Sequence, residues 1–336
     1  MFSGRVNPRI AIVGAGIAGL ALSSLLAAHA RITLFEKSRG IGGRMTTRRA
    51  EPWTFDHGTQ FFTARNPDFR AFLAPLLDTG TVREWEGRVV YLEAGQRPRK
   101  RLWFEPHYIA SPSMNAVCKH LAAGLDIRTA TEVAPLGERG PSGWSLQDTS
   151  GKDLGEFDAV VCTAPAPQAA RLLDRHLPAD AALRGVRYRA CLALMLGLDP
   201  ASEPDWIAGK ARDNPIEWIA SQSSRPGRST ACALVAHASA DWSDANLERP
   251  IADLEREMRD AVLALTGVSD GAVKQVSLHR WRYALVDVDT AADTPWVDIG
   301  AGLAATGDWC RASRVEDAWL AGRTLAEQLL DQRDGR

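Results

Sequence analysis

The chain has 336 residues, is 45% hydrophobic and 24% charged, and carries a formal net charge of −1. That length can bury a large core in two domains, and the composition is that of a globular protein. Near-neutrality gives no electrostatic reason to expect nucleic acid or a membrane as partner, and the five scattered cysteines, none in C-x-x-C spacing, form neither a disulfide framework nor a zinc site. No metal is expected, and a cytoplasmic enzyme is the default.

Arg9 to Lys37 reads as strand, glycine turn, helix, strand. Ile10–Val13 is a short β-branched run that suits a buried parallel strand. Gly14, Gly16 and Gly19 follow as G-x-G-x-x-G, then a helix over 18–30 and a second strand over 32–35. In such a unit the first glycine makes the turn, the second lets backbone amides reach a pyrophosphate, and the third brings helix close to strand. Ala15, Ile17 and Ala18 present the amides and the positive end of the helix dipole. Glu36, seventeen residues beyond Gly19, can accept from both hydroxyls of an adenosine ribose, with Lys37 beside it. An acid there fits FAD or NAD and repels a 2′-phosphate. Residues 10–30 hold no Asp, Glu, Lys or Arg, long enough for a membrane span, but the glycines and the lack of a cleavage pattern argue against a signal or anchor.

Gly40, Gly42 and Gly43 come next, with Arg44 and Met45, and offer amides and a guanidinium to a second anionic group. In Phe55–Arg65 (FDHGTQFFTAR), Gly58 marks a turn or close approach, and Phe61 and Phe62 read equally as core. A helix is expected over 66–80, then alternating strands over 82–103. The basic run Arg97, Arg99, Lys100, Arg101 reads either as a solvated loop or as a patch that greets an anionic substrate. Ser111 and Pro112 read as cap and first turn of a helix ending near Gly124. Strands are expected over 127–136 and 158–163, with a hairpin-like excursion at 144–147 and Phe157. From about 186 the texture changes to strands at 190–198, 216–220, 231–237 and 276–283, suiting an antiparallel sheet, with an amphipathic helix over 250–265. A last strand at 303–306, the turn Gly307-Asp308 and a helix from about 314 to 330 close the pattern.

These pieces together resemble the flavoprotein amine oxidase superfamily. The dinucleotide motif followed by Gly-Gly-Arg, the Asp-x-Gly-x-Gln core of FDHGTQFFTAR, the strand DAVVCT before APAPQ, and the segments IEWIA, LVAHASADWS and SLHRWRYA are similar to bacterial renalases in particular, and the likeness runs from Ile10 to Leu330. The resemblance implies an α/β protein: a Rossmann-type FAD-binding domain (1–75, 106–170 and 295–336) with an interleaved α+β substrate domain (76–105 and 171–294) built on an antiparallel sheet. FAD would be held non-covalently by Gly14, Gly16, Gly19, Glu36, Gly43 and Arg44, with Gly58, Thr59, Gln60 and Phe61 beside the flavin. Val133 would lie at the adenine end, and Gly307, Asp308, Arg314, Val315 and Ala318 at the pyrophosphate and flavin carbonyl. The late helix end suits the charge of a reduced flavin.

Substrate-side candidates are Trp218, His237, His279, Arg280, Trp281 and Tyr283, with Arg280 the expected phosphate contact. The implied activity is oxidation of mis-reduced 1,2- and 1,6-dihydro isomers of NAD(P)H, a dinucleotide substrate, with O2 going to H2O2. A monomer and a homodimer are both compatible with the sequence. An amine oxidase or dehydrogenase would need a lysine near the flavin, and Lys274 is the sole late one. A non-catalytic flavin or NAD binder is the remaining alternative. His57 departs from the less polar residue expected there.

Overall fold

The computed structural model describes residues 7–212, 215–228 and 230–333. It divides into two compact units, one running to Arg44 and including Cys118–Arg187 and the chain from Val286, the other made of Met45–Val117 and Tyr188–Leu285. Segments 45–75 and 106–117 therefore belong to the second unit and not, as their sequence suggests, to the first. Their strands pair there: Arg48–Ala50 with Trp53–Phe55, and Val82–Glu84 with Tyr108–Ala110.

The first unit is organised on a six-stranded sheet in the order 296–298, 303–305, 159–162, 9–13, 31–35, 126–128. All pairings are parallel except that between 296–298 and 303–305. Ile10, Ile12, Leu34, Val160 and Val161 are fully or almost fully buried, as continuous apolar runs in a sheet covered on both faces should be. The first helix is shorter than its pattern suggested, Ile17–Leu26. It crosses the last helix, Val315–Arg333, so closely that a Cβ on Gly322 would fall 2.1 Å from the Ala18 carbonyl oxygen.

The second unit is organised on a seven-stranded sheet in the order 273–286, 188–198, 233–238, 216–221, 208–211, 89–92, 99–101. Strands 188–198, 233–238, 216–221 and 208–211 pair antiparallel in succession, as do 89–92 and 99–101, while 208–211 runs parallel to 89–92. Helix Ile251–Thr266 buries Leu254, Met258, Val262 and Leu265 in a cluster with Leu192, Leu194, Leu196 and Leu234 on one face. It ends at Gly267 in the left-handed conformation, φ 72°. The alternate residues Met195, Ala233 and Val235 face the other way, onto Phe55 and Trp53.

Three local expectations are corrected. The helix after Ser111-Pro112 forms only at Ala116–Leu121. The Ser111 hydroxyl donates to the Pro226 carbonyl (2.9 Å) and the Met114 N–H donates to Asp56 (3.3 Å), so these groups are claimed by other segments before a helix can use them. The strand expected over 127–136 is limited to Asp126–Arg128, with Val133 making one isolated bridge to Asp148. Part of the basic run, Arg99–Arg101, is the edge strand of the large sheet and no free loop. Among the described residues no helix is long and apolar enough to cross a membrane.

Candidate functional site

The glycine turn of the first unit closes at the carboxyl end of strand 9–13. Gly14 has φ +113°, a conformation open to glycine and costly for other residues. A Cβ on Gly19 would sit 2.1 Å from the Gly14 carbonyl oxygen and 2.6 Å from Thr163 Oγ1, so the turn and helix cannot approach with any other residue there. Gly16 differs. Its φ is −76° and its added Cβ would meet no protein atom within 4 Å. Neither strain nor packing asks for glycine at 16; the space above it does. The helix it caps has no side-chain cap and no acid in its first turn, leaving the positive end of the dipole uncompensated.

The second glycine turn abuts the first: Gly42 N–H donates to the Ala15 carbonyl (2.9 Å), and a Cβ on Gly43 would lie 3.6 Å from the Gly16 Cα. Gly43–Met45 form one short 3-10 turn that buries Met45. Arg44 Nη1 donates to Asp308 Oδ2 at 2.6 Å, which joins this turn to the late Gly-Asp turn. Gly307 is required by its neighbour, since a Cβ there would lie 2.6 Å from the Trp309 indole nitrogen, itself donating to the Ala164 carbonyl.

Glu36 is 7% exposed, with Oε2 accepting from Ala15 N–H (3.0 Å) and Oε1 from Ser38 N–H (2.8 Å). One amide expected to face a phosphate is thus spent in fixing the carboxylate. Lys37 is exposed, and Val133 reaches this end because Thr131 N–H bonds the Glu36 carbonyl at 2.9 Å. Of the last helix, Val315 and buried Ala318 lie in the first turn, while Arg314 is exposed and pairs with Asp317 (3.3 Å). Cys310 is buried, its thiol pushed up to about 11 by burial, which makes it a poor nucleophile.

Glycine turns, an anchored acid and an uncompensated helix end suit an adenine dinucleotide bearing a pyrophosphate. The open space over Gly16 is the observation of fit. Among the described residues no cluster of His, Cys, Asp and Glu is arranged to hold a metal ion.

The second unit assembles a different group. The His57 carbonyl accepts from Trp281 Nε1 (3.0 Å) and contacts His237 Nε2 (3.1 Å). Because a carbonyl only accepts, His237 carries its proton on Nε2. The His57 ring stacks on Trp281 at 5.2 Å, and His279 meets both rings edge-on at 4.8 and 4.3 Å. Burial, the largest cause in each case, lowers all three histidines, His57 to about 3 and His237 to about 4, so they are neutral near pH 7.

Three of the six substrate-side candidates, His237, His279 and Trp281, are thereby brought together, while Tyr283 lies edge-on to Tyr188 at 5.6 Å. Arg280 does not join them: alternation along strand 273–286 turns it from His279 and Trp281, and its guanidinium donates to the Arg249 carbonyl. Phe61 contacts Trp218 (5.6 Å), Trp103 (5.6 Å) and His107 (4.5 Å), an aromatic patch beside half-exposed Gly58 and Thr59.

Unforeseen from the sequence is the buried support of Gln60. Asp56 is 0% exposed and accepts from Thr47 (2.5 Å), Arg225 Nη1 (3.1 Å) and Arg228 Nη2. Gln60 Oε1 accepts from Arg225 Nη2 (3.0 Å) and Gln222 Nε2 (3.3 Å). The one signal available was QSSRPGR, two arginines in a turn-rich stretch between strands.

A family model described as NAD(P)-binding Rossmann-like domain matches residues 12–76, and one described as flavin containing amine oxidoreductase matches 100–330. A 4,4′-diapophytoene desaturase of Staphylococcus haemolyticus is 48% identical over 50 residues, 15% of this chain and only 10% of the desaturase. A Staphylococcus aureus counterpart is 41% identical over 51 residues, again 10% of its length. Among solved structures, a protein from Exiguobacterium sp. 255-15 described as a protoporphyrinogen oxidase aligns with TM-score 0.75 at 14% identity, covering 97% of this chain and 99% of that one. A variant of putrescine oxidase aligns with TM-score 0.72, also at 14% identity, with 97% and 99% covered. Such identities speak for a shared fold.

Proposed function

The chain belongs to the flavin containing amine oxidoreductases and is an FAD-dependent oxidoreductase, and from that premise we propose that it oxidises mis-reduced nicotinamide dinucleotides. The donors are the 1,2- and 1,6-dihydro isomers of NAD(P)H. Each loses one hydride to become NAD(P)+, and the two electrons, that hydrogen and one solvent proton convert O2 to H2O2. FAD, when bound, supplies the two-electron acceptor; Glu36, the amides about Gly16 and Gly43, and the Arg44–Asp308 pair would hold it.

The low basicity of the imidazoles around Trp281 supports this donor class. An alkylamine, like a lysine side chain with a pKa near about 10, reaches the protein as an ammonium ion and must lose a proton before it can release hydride. Histidines lowered to about 3 and about 4 are poor acceptors for that proton. A dihydronicotinamide needs no such base, because its ring is neutral and becomes aromatic on losing hydride. Trp281 and His57 provide a flat apolar wall, and His237, held in one tautomer, presents Nδ1 as an acceptor. The protein's contribution is then placement.

Anaerobic mixing of the FAD-loaded protein with single donors tests the reading. The flavin absorbance bleaches within seconds on adding 1,6- or 1,2-dihydro-NAD and persists with putrescine. Bleaching by amines at comparable speed would replace this reading with amine oxidation, and no bleaching by any donor would leave a flavin binder without turnover.

A further inference from the structure

The sheet face that carries His237 continues into a row that the oxidation step itself does not use. Register pairs His237 with Trp218, Trp218 with Lys210, Lys210 with Tyr91, and Tyr91 with Arg99. Residues paired in register project to the same side of a sheet, so these side chains share one face. Its inner half is aromatic, because Trp218 lies against Phe61. Its outer half is cationic. Arg212 Cζ lies 4.8 Å and Arg101 Cζ 6.0 Å from the centroid of the Tyr91 ring, two guanidiniums about one aromatic ring.

The neighbouring cations are compensated: Arg99 holds Glu93 at 2.6 Å and Lys210 holds Glu217 at 3.5 Å. Arg101 and Arg212 have no carboxylate partner among the described residues. Two like charges about one ring repel, and an anion between them relieves both. Guanidiniums pre-arranged on an aromatic face are well suited to the forked geometry of a phosphate. From the strand of His237 to that of Tyr91 is three strand spacings, about 14 Å, room for a ring, a ribose and a pyrophosphate in extension.

We propose that this row is the substrate's phosphate subsite: the pyrophosphate of the dinucleotide binds between Arg101 and Arg212 over Tyr91, its sugar passes Trp218, and its redox-active ring lies toward His237 and Trp281. The assignment rests on the dihydronicotinamide reading for the identity of the ligand. The anion site itself is read from the sheet. It also gives the basic run at 97–101 a role that Arg280, turned toward Arg249, cannot fill.

The test uses the FAD-loaded protein and two probes. ADP, titrated calorimetrically, reports the anion site without turnover. Wild type binds ADP, added salt weakens the binding, and Arg101→Gln/Arg212→Gln weakens it by roughly tenfold or more, the loss of one or two charge-assisted contacts. Arg212→Gln alone, at an exposed position, gives a smaller loss in the same direction and guards against misfolding of the double variant. Anaerobic flavin reduction by 1,6-dihydro-NAD and by the corresponding phosphate-free riboside supplies the second readout. The double variant raises the half-saturating dinucleotide concentration by the same factor and leaves that of the riboside unchanged. ADP that fails to bind wild type, or binds both proteins alike, overturns the subsite. If neither donor reduces wild-type flavin the oxidase reading fails, while the ADP titration still decides the anion site.

Discussion

Gly16 and Gly19 stand three residues apart in one motif, and the structure separates their roles sharply enough to be measured. Gly16→Ala places a methyl group where no protein atom lies within 4 Å, on a backbone with φ −76° that alanine adopts freely. Two small effects on the fold oppose each other. Alanine is a poorer helix cap than glycine by about 0.5–1 kcal/mol, and it restricts the unfolded chain, which stabilises by about 0.4–1 kcal/mol. The net change in apoprotein stability is therefore within about 0.5 kcal/mol. FAD affinity should fall far more, because the methyl group fills the space a pyrophosphate occupies. Losing one or two charge-assisted hydrogen bonds, at about 1.5–3 kcal/mol each, weakens binding by roughly tenfold to several hundredfold or beyond. Gly19→Ala does the opposite first: its Cβ would sit 2.1 Å from a backbone oxygen, so the apoprotein itself loses stability. The assay is urea unfolding of both apoproteins beside FAD titration followed by flavin fluorescence. A Gly16→Ala protein that binds FAD as wild type does, or that unfolds as readily as Gly19→Ala, refutes the assignment of the space over Gly16 to the cofactor.

Arg44→Ala removes a partner of Asp308, which is 3% exposed, and a cation from the two glycine turns. The purified variant should lose FAD on gel filtration at moderate salt; a fully yellow protein would deny Arg44 that role. The buried histidines set an acid limit to stability. His57 and His237 have folded values of about 3 and about 4, below the ordinary 6.5, so the unfolded chain binds more protons between those values. Stability is then fully present above pH 6.5 and declines as pH falls toward 4, with a slope of up to about 1.4 kcal/mol per pH unit for each histidine. Urea midpoints at pH 7, 5.5 and 4.5 should show that decline, and His57→Asn/His237→Asn should flatten it; an unchanged slope in the double variant contradicts the assignment.

What could be read from the sequence follows the range of the interactions involved. The glycine turn, Glu36 and the strands 9–13 and 31–35 on either side of the turn and its helix depend on neighbours in the chain and on steric rules that glycine obeys visibly, and they are where the spacing placed them. The amphipathic stripe of 251–266 and its terminal Gly267 are equally local. Asp56, Arg225 and Arg228 are the counter-example. The 169 residues between Asp56 and Arg225 carry no pattern that would announce their contact. Ser111 failed as a helix cap for the same reason, since its hydroxyl is drawn to Pro226. Arg280 was chosen for its charge among His279 and Trp281, but alternation along a strand separates adjacent residues, and that periodicity was present in the sequence to be used. The same alternation, applied to strand 99–101 and its neighbours, selects Arg101 and leaves Lys100 on the other face.

The Asp56 cluster has a consequence beyond packing. One carboxylate stands against two guanidiniums, all at 0–2% side-chain exposure, and burying ions costs several kcal/mol each unless their hydrogen bonds are met. Stability alone is a weak reason to keep such a group. Its effect on Gln60 is a stronger one. Arginine has no acceptor, so the Gln60 atom facing Arg225 must be the carbonyl oxygen, and the amide nitrogen must turn toward the Asp56 and Gly58 carbonyls. A terminal amide free to flip would present either polarity to a ligand; this one presents a fixed polarity. The charge of Arg225 also opposes protonation of His237. The buried cations thus fix the direction of the Gln60 amide, and Arg225 adds to the burial that keeps the imidazole beside it neutral, two conditions for a site that positions a donor and leaves its protons alone.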